Sequence, residues 1–187
     1  MCHSLVRHTF IELLSKRRLG AIAYFYKTMD RQIHTPEQAF QKAKHYCAYQ
    51  ERCHSEVKEK LYSLGLYKKD VEETLSKLIE ENYLNEERFA TAFAGGRFRL
   101  KQWGKVKIKY ELKQKQVSEY CIKKALASIS ETDYSRTIQK LFSAKLSTLK
   151  SEKNSFVKKK KIQDYLLQKG FETSIINELL SEQIQKK

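Results

Sequence analysis

The stretch GKVKIKYELKQKQV, residues 104–117, decides the fold because it reads two ways. Val106, Ile108, Tyr110 and Leu112 alternate with Lys105, Lys107, Lys109 and Glu111. A period of two marks a half-buried strand, here with a lysine-rich outer face. The Lys, Glu, Leu and Gln that fill the same stretch are good helix formers.

An internal repeat separates the two readings. EVKEKLYSLGLYKKDVEETL (56–75), KIKYELKQKQVSEYCIKKAL (107–126) and KIQDYLLQKGFETSIINELL (161–180) superpose without a gap, at offsets of 51 and 54. Val57 matches Ile108 and Ile162; Leu61 matches Leu112 and Leu166; Leu66 matches Val117 and Phe171. Val71 with Ile122 and Ile176, and Leu75 with Leu126 and Leu180, complete the set. A repeat near fifty residues implies stacked supersecondary units. In the first copy Val57, Leu61 and Leu64 fall at i, i+4, i+7, and in the third Ile162, Tyr165 and Leu166 fall at i, i+3, i+4. Both are helical stripes, so residues 104–117 are helical and their alternation misleads. Tyr110 then points about 200° away from Ile108, near Val106 one turn earlier. These two either pack on a neighbouring repeat or form an exposed apolar spot among Lys105, Lys107, Lys109 and Lys113.

The same reading extends along the chain. Thr35-Pro36-Glu37-Gln38 combines a threonine cap, a first-turn proline and the glutamine of a capping box. Ala39, Phe40, Ala43, Tyr46 and Cys47 carry that helix forward. Helices follow over about 54–64, ending at Gly65, then 68–82, and from an Asn85 cap to about 102. Others cover 105–115, 118–129 with Ser118 as cap, 130–150, 156–169 before Gly170, and 173–184. The expected fold is all-α: three tandem three-helix repeats in an elongated, curved helical array. The divisions are residues 35–84, 85–130 and 131–187, preceded by an N-terminal extension, 1–34. Within that extension residues 1–28 do not fit the pattern and read as an over-long start, Met29 opening the conforming chain. One proline and six glycines in 187 residues agree with helices on short joints.

The net charge is +15, and it is uneven. Residues 85–130 carry 11 basic against 4 acidic side chains, and 131–187 carry 12 against 7. Such a bias suits a nucleic acid or an acidic protein, and a merely solvated surface is the alternative. No apolar run spans a membrane, and the short run LGAIAYFY lacks a signal-peptide cleavage pattern. Four cysteines without CxxC spacing suit a reducing cytoplasm. His45, Cys47, Cys53 and His54 cluster without a second ligand pair downstream, so no metal is expected. Gly95-Gly96 lacks a following phosphate-loop motif, and the acids lie on Glu/Lys-rich helix faces. The chain reads as no enzyme, with no cofactor.

What remains is basic surface. Arg97, Arg99, Lys101, Lys105, Lys107 and Lys109 surround the joint of the second repeat's first two helices, with Phe98 and Trp103 interleaved. Lys158, Lys159, Lys160 and Lys161 form a second run at the corresponding place in the third repeat. Cations there can hold phosphates and aromatics can stack on bases. Alternatively, Phe98 and Trp103 serve as core or inter-repeat contacts.

Laid out in this way, residues 36–185 resemble the RecX family of bacterial recombination regulators. The likeness rests on Arg52-Cys53-His54-Ser55-Glu56-Val57, Leu64-Gly65-Leu66, and Leu84-Asn85-Glu86-Glu87-Arg88-Phe89-Ala90. Arg97, Gly104 through Ile108, Glu111-Leu112 and Lys115 continue it. The chain departs where the family has serine at Cys53, an aspartate pair at Asn85-Glu86 and glycine at Gln116. The first and last changes put a hydroxyl cap and a glycine helix terminator in question. The resemblance implies a cytoplasmic, non-enzymatic monomer that binds the RecA recombinase filament on single-stranded DNA. It also implies inhibition of extension, strand exchange and ATPase activity, a role in DNA repair and homologous recombination linked to the SOS response. Charge placement nominates the ten cations above as the contact surface and Arg88 as a brace for Glu86, Glu87 or a helix joint. A stand-alone basic helical DNA-binding module and a scaffold for an acidic protein are the competing readings.

Overall fold

The structure, a computed structural model, describes residues 34–185. Among them are nine α-helices and no strand. Helices α1 (Pro36–Tyr49), α2 (His54–Ser63) and α3 (Lys68–Glu80) form the first unit; α4 (Glu86–Lys101), α5 (Lys105–Gln114) and α6 (Glu119–Ala127) form the second. The third comprises α7 (Glu131–Thr148), α8 (Ser155–Lys169) and α9 (Thr173–Gln185). The alternating stretch is α5, with Ile108 and Leu112 fully buried. Val106 and Tyr110 are 52% and 60% exposed, so of the two alternatives they take the exposed one. Residues 1–33 of the expected extension lie outside the described residues, whereas His34 donates its backbone N–H to the Leu64 carbonyl at 3.1 Å.

The caps follow the chemistry of the sequence. Thr35 and Gln38 complete a reciprocal capping box. Asn85 Oδ1 accepts from Arg88 N at 2.9 Å, and Ser118 Oγ accepts from Cys121 N. Gly65, Gln116 and Gly170 occupy one position of the repeat, and all three are left-handed, with φ of 90°, 60° and 89°. The backbone therefore keeps its terminator at Gln116 although the glycine is missing. Cys53, in contrast, caps α2 without a side-chain hydrogen bond.

Burial divides the molecule into two bodies. One core lies within α1–α3 and includes Val57, Leu61, Val71 and Leu78. The other runs unbroken through the second and third units, from Phe89 and Ile108 to Ile162 and Ile176, and takes in Cys53 from the first. The units join through their middle helices. Gly104 N and Val106 N, at the start of α5, donate to Lys169 O (2.9 Å) and Gly170 O (3.1 Å) at the end of α8. At the same place in the preceding unit, Ser55 Oγ of α2 donates to Lys115 O at the end of α5, at 3.1 Å. Each joint sets the carbonyl-rich end of one helix on the amide-rich end of another, satisfying otherwise orphaned groups and opposing the dipole charges.

Close approach at the α5–α8 joint depends on glycine. A Cβ on Gly104 would lie 2.1 Å from Gly170 O, a backbone atom that cannot swing away. Gly104→Ala should cost about 1–3 kcal/mol or more, as overpacking does, read as a lowered denaturation midpoint. Gln116→Gly should act in the opposite direction: relieving a left-handed residue outweighs glycine's extra chain entropy, giving about 0.5–1 kcal/mol of added stability.

Candidate nucleic-acid interface

Helical spacing places Phe93, Arg97 and Lys101 along one line of α4, at i, i+4 and i+8. The helix ends at Lys101; Gln102 turns left-handed at φ 53°, and Trp103 N donates back to Arg97 O at 3.4 Å. This turn returns the indole to the arginine it follows. The Arg97 guanidinium lies 4.8 Å from the Phe93 ring centre and 5.2 Å from that of Trp103. Lys107 Nζ stands 4.7 Å from the same indole, and Lys115 Nζ stands 5.8 Å from Phe93. The result is a ladder, Lys115–Phe93–Arg97–Trp103–Lys107, in which cations and aromatic rings alternate. Each such contact contributes about 0.5–1 kcal/mol when half exposed, and the rings separate charges that would otherwise repel directly.

The ladder is anchored at both ends. Lys107 Nζ donates to Gln168 O at 3.3 Å across the α5–α8 joint. Lys115 pairs with Glu56 of the first unit at 2.6 Å. Burial works against the Lys115 ammonium, but the Glu56 carboxylate more than compensates and raises its pKa. Beside the ladder a groove of about 310 Å³ opens between Gln50 and Glu51 on one side and Phe93, Gly96, Arg97 and Leu100 on the other. Leu100, on its rim, is 83% exposed.

The ten nominated cations divide by pairing. Lys105 meets Glu131 and lies 4.7 Å from the Tyr134 ring centre, while Lys109 pairs with Glu119 at 3.4 Å. Lys160 pairs with Asp164 (2.9 Å) and Lys161 with Glu152 (2.7 Å). Glu119 is held below the ordinary carboxylate range, first by its hydrogen bond from Lys113 and then by that from Lys109, and Glu152 first by its hydrogen bond from Lys161. Among the described residues, Arg97, Arg99, Lys101, Lys107, Lys158 and Lys159 have no carboxylate partner within 4.0 Å. Arg97 and Lys107 meet on Trp103, and Lys101 continues the line of α4. Arg99 folds back over its own helix, where a Cβ on Gly95 would meet its Nη1 at 2.9 Å. Lys158 and Lys159 line a separate cavity of the third unit.

Phe98 is core, 8% exposed and 5.9 Å from the Tyr134 ring, so it offers no stacking face. Trp103 takes the packing role of the two, partly buried against the shared core, and its ring is met by Arg97 and Lys107. Arg88 braces a helix joint: it bonds Glu51, Asn82 Oδ1 and the Asn82 carbonyl, fastening the end of α3 to the start of α4. Phe93 and Lys115 are the ladder members that charge counting missed. The i, i+4 spacing of Phe93 and Arg97 is the signal that finds the first. The described residues hold no group of three or more His, Cys, Asp or Glu placed for a metal, and burial pushes the Cys47 thiol up to about 11.

A tandem array of three-helix units places the chain in a class of all-helical repeat proteins. Family descriptions of the second and third three-helix domains of RecX match residues 85–126 and 123–180. The regulatory protein RecX of Prosthecochloris aestuarii is 30% identical over 146 residues, covering 77% of this chain and 92% of that protein. The RecX of Thermotoga maritima is 30% identical over 135 residues, 72% of this chain and 77% of its own. The chain spans about half (54%) of the length of the Bacillus cytotoxicus RecX, at 29% identity. The crystal structure of RecX from Lactobacillus salivarius superposes with a TM-score of 0.71 at 26% identity, covering 79% of this chain and 95% of that one. The chain belongs to the RecX family of regulatory proteins. No described helix is long and apolar enough to cross a membrane.

Tyr134 ties the start of α5 to the third unit. Its hydroxyl donates to Glu172 at 2.6 Å and accepts from Lys105 N at 3.0 Å. Burial, then the bond to Glu172, raises its pKa well above that of a free phenol. Above about pH 10 the unfolded chain ionises this tyrosine while the folded chain keeps its proton, so stability falls as pH rises. Tyr134→Phe should cost about 1–3 kcal/mol near pH 7, by stranding Lys105 N–H and Glu172. It should also flatten part of the alkaline decline in a denaturation series from pH 8 to 11; Cys47, Cys121 and Tyr46, all raised chiefly by burial, retain the rest.

Proposed function

We propose that the protein binds the filament formed by RecA recombinase on single-stranded DNA and restrains its extension, ATPase activity and strand exchange. It acts as a monomer in the cytoplasm, in homologous recombination and DNA repair. Family membership supports the regulatory part of this reading. The ladder on α4 and α5 supports the contact: Arg97, Lys101 and Lys107 lack carboxylate partners, and Arg97 and Lys107 stand over the Trp103 ring, a combination of free cations and aromatic surface that attracts phosphates and bases. Arg99 folds over its own helix and Lys105 and Lys109 are engaged by Glu131 and Glu119, so these three add only to the general positive field. Lys158 to Lys161 form a second contact, and two weak contacts on one array add by avidity.

RecA's DNA-stimulated ATP hydrolysis tests the proposal, with co-sedimentation on pre-formed filaments and bare DNA as control. Inhibition is expected at ratios well below one protein per recombinase. Arg97→Glu with Lys107→Glu should raise the half-inhibitory concentration by about tenfold or more, whereas Lys109→Gln, removing a lysine already paired, should change it less than about threefold. Undiminished inhibition by the double variant would displace the site. Tight, salt-dependent DNA binding without RecA and no effect on its ATPase would favour the stand-alone DNA-binding reading instead.

A further inference from the structure

In the first two units the N-terminal end of the middle helix is covered by the unit that follows. Cys53, just ahead of α2, packs into the second body's core, and Ser55 reaches Lys115. The start of α5 receives the last carbonyls of α8. The start of α8 has no following unit among the described residues. A cavity of about 540 Å³ lies there, in the crease between the last turns of α7 and the first turns of α8.

Phe142, Leu146, Ile162 and Leu180 form its floor, and Lys150, Lys158 and Lys159 form its rim. These three lysines carry no ion pair among the described residues, unlike Lys160 and Lys161 beside them. A second groove, of about 340 Å³, meets the first at Lys159 and Leu180. Phe156, 78% exposed, stands on its edge. The first amides of α8 are already satisfied, since Asn154 Oδ1 accepts from Phe156 N and Val157 N. What the crease presents is therefore side-chain chemistry, apolar below and ammonium around.

We propose that this crease receives an acidic amphipathic helical segment of a partner protein. A phosphate backbone would satisfy the lysines but leave the apolar floor in water. A helix with a leucine-like stripe and flanking carboxylates satisfies both. Residues 155–163 of α8 extend about 12 Å, enough to seat about two turns of such a helix. The inference rests on the filament reading only in that the α8 lysines face a partner; the ladder on α4 and α5 takes no part.

The test uses the full chain and a fluorescein-labelled probe peptide of about sixteen residues, with leucines at i, i+3, i+4 and i+7 and glutamates elsewhere, followed by anisotropy. Saturable binding is expected, at least about tenfold weaker for a peptide of the same composition with its stripe shuffled. Lys158→Glu with Lys159→Glu should weaken binding by about tenfold. Ser147→Trp, at an exposed position of α7 lining the crease, should weaken it similarly by filling space without changing charge; circular dichroism verifies the fold of both variants. Arg97→Glu with Lys107→Glu should bind the probe as the parent does. Equal binding of the shuffled peptide, unaltered binding by Ser147→Trp, or displacement by a single-stranded oligonucleotide would each overturn the inference. RecA ATPase assays on the same variants report separately on the filament reading.

Discussion

The fold depends on one junction, where the last carbonyls of α8 meet the first amides of α5 across a pair of glycines. Helix ends leave four amides or four carbonyls without intrahelical partners, and burying them unpaired is costly. Here Lys169 O and Gly170 O accept from Gly104 N and Val106 N, so one helix end completes the other. The contact is tight enough to exclude a side chain on either glycine: a Cβ on Gly170 would lie 2.2 Å from Lys107 Cβ. The Ser55–Lys115 bond repeats the arrangement one unit earlier with a side chain in place of an amide. The first joint is the looser of the two, in keeping with a separate core for α1–α3 and a continuous one for α4–α9.

The same junction positions the candidate site. Gly104 follows Trp103 directly, so the pinned start of α5 leaves the three-residue link after α4 little freedom. The left-handed Gln102 then returns the indole to Arg97. Lys107 lies one turn into α5 and is tied to Gln168 of α8, which holds its ammonium over the ring. Lys115 and Lys169 occupy one repeat position, and each sends its ammonium across its joint, to Glu56 and to Lys101 O respectively. Surface and scaffold are therefore inseparable: what fixes the units in register also fixes the cations in line.

Most of the architecture was legible because it is local. The Thr35, Asn85 and Ser118 caps, the left-handed Gly65 and Gly170, and the helical nature of residues 104–117 all follow from spacing and residue type within a turn or two. The repeat added the equivalence that local patterns lack. Gln116 shows where residue type alone falls short: its left-handed backbone is imposed by the repeat and tolerated by the side chain. The site was half legible. A positive stretch announces itself, but whether a lysine is free depends on carboxylates far along the chain, as with Lys105 and Glu131 or Lys161 and Glu152. No pattern within α5 distinguishes Lys107 from Lys105, whereas in α8 the i, i+4 spacing of Lys160 and Asp164 does mark Lys160 as paired.

That distinction bears on what the surface is for. The array has the means to neutralise its cations, since it pairs Lys105, Lys109, Lys113, Lys124, Lys160 and Lys161 with nearby acids. Six nominated cations are left unpaired in a chain that already carries +15. Clustered like charge opposes folding and is weakened by salt only at exposed positions. At the ladder, aromatic rings offset that repulsion without cancelling the charge, which a carboxylate would do. Phe93 and Trp103 thus keep Arg97, Lys107 and Lys115 close together and in register while the field of Arg97 and Lys107 still points outward. The contact proposed for this surface draws on that combination of fixed geometry and uncancelled charge.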